Sequence, residues 1–310
     1  MTAASPIPGP RSENIPLAIG LRLGSVLMLS LMWALIKFLS LRGVHFAELL
    51  FYRQLLALPV VYGWIVWTIG PAGIATKRPD LHLTRTAVGL TSMVCNFGAV
   101  ILLPLAESTT IGFTAPIFAT IFSALFLREA TGIHRWGAVV LGFVGVVVIA
   151  RPDNAHFPLV GLGVAIVAAV GTATVAILLR ALSRTETPPA IVFWFTILSV
   201  PPLGLLMIWF GQWHDPVTFA LILAMGVCGG IAQLLMTSAL RLAPVAVVMP
   251  MDYSAIVWAA LLGWLLWGTL PIASTWLGTA LIVASGLYIL LREKRLGRFA
   301  VLRAEAEAKP

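Results

Sequence analysis

Charge is what this sequence has least of. Only 10% of its 310 residues are Asp, Glu, Lys or Arg, against roughly 25% in a soluble domain, whose surface must be wetted. Two cysteines, Cys95 and Cys228, both inside apolar runs, exclude a disulfide framework and a thiolate metal cage. No Gly-x4-Gly-Lys loop is present to cradle a nucleotide phosphate, so direct ATP drive is excluded. His45, His82, His134, His156 and His214 read as isolated connector residues without metal-ligand spacing. No paired carboxylates or Ser/His dyad share an intramembrane depth, which argues against a lipid-modifying enzyme, and no cofactor is implied. The net charge of +8 is scattered between apolar runs rather than gathered on a face, so nucleic acid is not a partner.

Apolar residues fill the space. They make up 60% of the chain, and the mean hydropathy is +0.99. A helix needs about 20 apolar residues to cross about 30 Å of hydrocarbon. Ten runs qualify: 17–39, 48–69, 86–104, 109–127, 135–150, 159–180, 189–210, 217–240, 245–266 and 273–291. The reading is an all-α membrane protein of ten transmembrane helices in a lipid bilayer. The proline-rich stretch 1–15 reads as a disordered tail and 293–310 as a charged one.

Basic residues orient the spans. With a cytoplasmic N-terminus, sixteen of them fall on the inside, including Arg22, Lys77, Arg78 and Arg85, and three outside, Lys37, Arg42 and Arg151. That bias places both termini in the cytoplasm and the chain in a bacterial inner membrane.

The two halves align at an offset of 140–143. Lys37-Phe-Leu-Ser40 matches Arg180-Ala-Leu-Ser183, Ala99 matches Ala239, Phe113-Thr-Ala115 matches Tyr253-Ser-Ala255, and Gly137 and Gly145 match Gly278 and Gly286. The expected division is one five-helix repeat over 16–151 and a second over 152–292. An odd number of spans per repeat inverts the second, a recurring plan of secondary transporters, in which a midplane site opens to either side.

The stretch from Ala99 through Pro116 to Leu127-Arg128-Glu129 and Gly137-x7-Gly145 resembles the EamA family of the drug/metabolite transporter superfamily. The resemblance covers residues 20–291. In the second half Ile256 replaces the proline and Thr269 the acid, so Glu129 has no symmetric counterpart. The size and Trp/Phe-rich character are similar to bacterial amino-acid exporters. The resemblance implies a transporter, not an enzyme, that exports small metabolites, amino acids first among them. A multidrug or nucleotide-sugar transporter and an intramembrane lipid-modifying enzyme are the alternatives.

Polar groups inside the spans are the candidate site residues, because hydrocarbon leaves them without partners. Asp252 lies seven residues into the ninth run, about 10 Å deep. It reads as a coupling site, or as a cap for a helix starting after Pro250. Lys37 either snorkels or faces the cavity, and Arg53 either pairs with Glu48 or binds an anion. Ser92, Asn96, Thr110, Thr114, Gln233, Thr237, Ser238 and Ser254 outline a cavity or bond between helices. Trp33, Tyr52, Phe113 and Tyr253 offer ring faces or pack the core. Pro116 and Pro250 are candidate hinges.

Overall fold

The structure, a computed structural model, describes residues 14–126, 133–150, 158–182, 185–243 and 248–307. They form eleven α-helices and no strand: α1 Ile15–Leu41, α2 Phe46–Ile69, α3 Pro79–Leu102, α4 Leu105–Gly112, α5 Ala115–Phe126, α6 Ile133–Ala150, α7 Leu159–Leu182, α8 Pro188–Phe210, α9 Pro216–Leu242, α10 Ala255–Trp267 and α11 Ala273–Glu307. Short 3-10 segments cover Pro71–Ile74 and Met249–Ser254.

Helix starts are written locally. The Asn14 carboxamide accepts the Leu17 N–H, with Pro16 in the first turn. Asp215 accepts from Val217 and Thr218 ahead of Pro216, and His45 and Glu48 form a capping box for α2. Each satisfies amide donors that the first turn leaves free.

Among the described residues, seven helices are long and apolar enough to cross a membrane: Ile15–Leu41, Phe46–Trp67, Pro79–Leu102, Leu105–Phe122 (counted through a break), Leu159–Leu179, Ala190–Phe210 and Pro216–Met236. The remaining three expected spans are shorter or interrupted. They correspond to α6, to the second 3-10 segment with α10, and to the apolar first part of α11, which continues as helix to Glu307 through the expected tail. Large apolar side chains stay exposed, among them Val140 and Val147 on α6 and Ile208 and Trp209 on α8. Such a surface suits hydrocarbon rather than water.

The fourth expected span is two helices. α4 ends at Gly112, Phe113 and Thr114 turn, and α5 restarts at Ala115. Pro116 has no N–H to give the Gly112 carbonyl, and the Thr114 hydroxyl instead donates to Ile111 O. The ninth, described from Val248, departs from α-helix near the corresponding place: Met249–Ser254 is 3-10, with Pro250 in its first turn, and passes into α10 at Ala255.

Packing runs between the halves. α1 lies antiparallel to α9: Asn14 N–H donates to Leu242 O, Ser25 Oγ to Ala232 O at 2.8 Å, and Arg42 reaches Thr218. α3 lies antiparallel to α7, with Ser92 on Ala168 and Thr172 and Gly161 under Leu103. α6 and α11 meet at Gly145 and Gly278, where a Cβ on either would come within 2.8 Å of the other's carbonyl. Only glycine allows that approach. α2 runs antiparallel to α8, Phe51 against Gly204, and parallel to α9, Leu56 over Gly226 and Val60 over Gly230. Met32, Ile36, Leu39, Leu49, Leu50, Phe97 and Met225 form the largest buried cluster.

Candidate functional site

One face of α1 supplies the wall of a cavity of about 240 Å³. Arg22, Val26, Leu29, Ser30 and Trp33 recur at spacings of three and four along it, which places them on one side of a helix. Asn96 and Val100 close it from α3, Ser108, Thr109, Gly112 and Phe113 from the broken fourth span, and Asp252 and Ala255 from the second break. Helices of both halves therefore line one space.

Its charged feature is an ion pair between residues 230 positions apart. Arg22 Nε and Nη2 donate to the two Asp252 carboxylate oxygens at 2.5 and 2.6 Å. The Arg22 side chain is 8% exposed and that of Asp252 29%. Arg22 Nη1 is buried without a partner. Arg22 therefore belongs to a span, not to the connector assigned to it from sequence, and Arg85 likewise sits inside α3. Asp252 is held by a side chain and caps no helix. A bidentate arginine is the strongest geometry a carboxylate finds in a protein.

Trp33, Asn96, Phe113 and Asp252 are the expected residues that line this space. Asn96 Nδ2 donates to Ser92 O at 2.8 Å. The Phe113 and Tyr253 rings, which match between the halves, meet edge to face at 5.0 Å. Trp33 packs on Phe97. Ser92, Thr110 and Thr114 are buried in helix contacts instead: Thr110 bonds Thr279 of α11 at 3.0 Å. Ser254 Oγ donates to Met251 O, Tyr52 packs on Phe51, and Gln233 and Ser238 lie half-buried on α9. The Thr237 side chain lies outside the described residues, as does Glu129.

Lys37 does not face the cavity. Its ammonium donates to Leu103 O and stands 5.8 Å from the Trp267 ring centroid, joining the ends of α1, α3 and α10. Arg53 does not pair with Glu48. Its guanidinium donates to Gln54 and lies by Met93, while Glu48 pairs with His214 at 2.7 Å. Arg85 lies over the Phe195 ring at 3.8 Å. His82 is buried on α3 and lies 4.0 Å from Glu186, so neither it nor His214 is isolated. Burial pushes the Glu186 carboxyl up, but hydrogen bonds from Lys77 N–H and Thr76 Oγ1 prevail and hold it below the usual range.

A second cavity, of about 290 Å³, lies at the end of the bundle where α1 finishes. Pro104–Glu107, Ile149, Pro158, Ala259, Gly263 and the connector Thr269–Ile272 line it. Ala34, Val100, Leu105 and Ala259 form a buried apolar cluster. Val100 also lines the first cavity, and Leu105 and Ala259 the second. The cluster therefore partitions the two. Sequence reasoning missed Arg22, Ser30, Ser108, Thr109 and Glu107. Arg22 already falls within the apolar run 17–39, and that placement could have flagged it.

The profile of the EamA-like transporter family matches twice, over residues 16–151 and 159–291. The chain belongs to the EamA-like transporter family. It is a multi-pass membrane protein and not an enzyme. Among its relatives, a riboflavin transporter of Rhizobium johnstonii is 32% identical over 74% of this chain and 76% of its own. The pseudopaline exporter CntI of Pseudomonas aeruginosa is 30% identical, over 83% and 89%. An S-adenosylmethionine uptake transporter of Rickettsia bellii is 25% identical, over 84% and 88%. A solved crystal structure shares the fold at a TM-score of 0.60 and 21% identity, covering 90% of this chain and 98% of that one. Transport of small metabolites is the family's common ground; amino acids are not named among these relatives.

Proposed function

We propose that the protein is a secondary transporter with ten spans in two inverted repeats, residues 16–151 and 152–292. Its termini are cytoplasmic, in a bacterial inner membrane, and it exports zwitterionic metabolites, amino acids foremost, by alternating access. The reciprocal packing supports the inversion: α1 rests on α9 as its repeat partner α7 rests on α3. Phe113 and Tyr253, equivalent in the repeat, touch each other.

The observation that carries the substrate class is the Arg22–Asp252 pair on the cavity wall. Separating two charges in a poorly solvated site leaves each uncompensated. A zwitterion supplies both counter-charges at once, its carboxylate to Arg22 and its ammonium to Asp252. Arg22 Nη1, buried without a partner, is a donor left over for such a carboxylate. Trp33 and Phe113 then offer ring faces to the apolar part. Entry of the substrate opens the pair and release closes it, so the pair couples occupancy to the arrangement of the halves.

Counterflow of the twenty amino acids in proteoliposomes, with and without a pH gradient, tests this. Saturable exchange of a subset is expected, and Asp252→Asn removes it. Exchange of no amino acid by active protein would discard the zwitterion. Gradient-driven uptake intact in Asp252→Asn would remove proton coupling at this carboxylate. Riboflavin belongs in the same screen, because a riboflavin transporter is among the relatives and the two rings suit a flat heterocycle.

A further inference from the structure

Glu107 is the acid that the central cavity does not use. It sits in the first turn of α4, 8% exposed, on the wall of the 290 Å³ cavity at the far end of the bundle. Thr275 Oγ1 donates to Oε1 at 3.0 Å. Oε2 is buried and has no partner. Its cationic neighbour among the described residues, Lys37, gives its ammonium to the Leu103 carbonyl and the Trp267 face, with no ion pair to Glu107. A buried carboxylate on a cavity wall, with one oxygen unused, lacks a donor.

The rest of the wall shapes what that donor belongs to. Leu105, Ile149, Pro158, Leu270 and Ile272 are apolar, and the volume is at the small end of ligand cavities, about 300 Å³. We propose that this cavity is a separate binding site for primary ammonium groups on short apolar bodies, with Glu107 Oε2 as the anchor. The ammonium donates to Oε2, Thr275 keeps Oε1 oriented, and the chain lies along Leu105 and Ile272. The Ala34–Val100–Leu105–Ala259 partition keeps it apart from the Arg22–Asp252 pair, so the site stands whether or not the zwitterion reading does. Lys37 opposes it, since its positive charge competes for the same carboxylate.

Calorimetric titration of n-butylammonium into the purified full-length protein in detergent is the test. One saturable site is expected. Glu107→Gln weakens it about tenfold or more, the value of a lost charge-assisted hydrogen bond, while Glu107→Asp retains most of the affinity and shows that the fold tolerates change there. Lys37→Met moves the other way and tightens binding about threefold, by removing a like charge. Asp252→Asn leaves it unchanged. The site is overturned by the absence of saturable binding to wild type, by equal affinity in Glu107→Gln, or by loss of binding in Asp252→Asn. Amino-acid counterflow that fails while butylammonium still binds Glu107 would sink the zwitterion reading and support this site.

Discussion

The two broken spans occupy equivalent places in the two halves and are built differently. In the first, α4 and α5 are separated by Phe113 and Thr114, with Pro116 withholding a donor; the break residues themselves carry no charge. In the second, the 3-10 segment Met249–Ser254 places Asp252 on the cavity wall, against Arg22. Their repeat counterparts by the same offsets are Gly112 and Ala165, which carry no charge. The position is shared; the backbone geometry and the charge are not. A pseudo-symmetric frame thus holds an asymmetric site: both halves depart from regular α-helix there, and one of them carries the ion pair.

The largest expected effect comes from breaking that asymmetry. Arg22→Met and Asp252→Ala each strand the other charge, a loss of about 3–5 kcal/mol when a pair is fully buried. Asp252 is 29% exposed to the cavity, so the lower end applies. The double variant Arg22→Met/Asp252→Ala melts above either single one, because it strands nothing. All three lose counterflow. A double variant no more stable than the singles would show that the pair does not hold the two breaks together.

The frame was legible from sequence because it is repetitive. Runs of about twenty apolar residues, an offset of 140–143 and glycines such as Gly145 and Gly278 all act through local pattern or through symmetry. The site was legible only where it sat within a run: Trp33, Asn96, Phe113 and Asp252 stood out as polar or aromatic groups in hydrocarbon. Arg22 was lost because a basic residue near a run's end looks like loop charge. Its partner is 230 positions away, and no period links them. Glu107 was lost because the Pro104 region reads as a connector, although it folds as the first turn of α4. The breaks show in the sequence only through Pro116 and Pro250, since hydropathy does not distinguish one bent span from one straight helix.

A smaller effect tests whether the uncharged break also moves. Pro116→Ala restores an N–H that can reach the Gly112 carbonyl and favours a continuous helix through Phe113. Transport should slow by about threefold or more if the bend takes part in the motion, with the affinity from counterflow saturation little changed. An unchanged rate would leave the charged break as the working hinge.

The smallest expected effect concerns how the second break is supported. Phe113 leans on the α6–α11 cluster of Val146, Ile149 and Ile282. Tyr253 is instead accommodated by Gly286 of α11, where an added Cβ would stand 2.2 Å from the phenol oxygen and 3.4 Å from Cζ. Gly286→Ala therefore forces the ring to shift and costs about 1–3 kcal/mol, as overpacking does. The clash lies with the hydroxyl alone, because Cζ at 3.4 Å is ordinary contact. Tyr253→Phe in the same chain should restore most of the lost melting temperature, whereas Tyr253→Phe by itself changes it little. Since the ring backs Phe113 of the cavity wall, counterflow of the three variants should follow the same order. A Gly286→Ala protein that Tyr253→Phe does not rescue would mean that the methyl meets the α11 packing itself, and that this break is held by helix contact, as in the first half, rather than by room left for a ring.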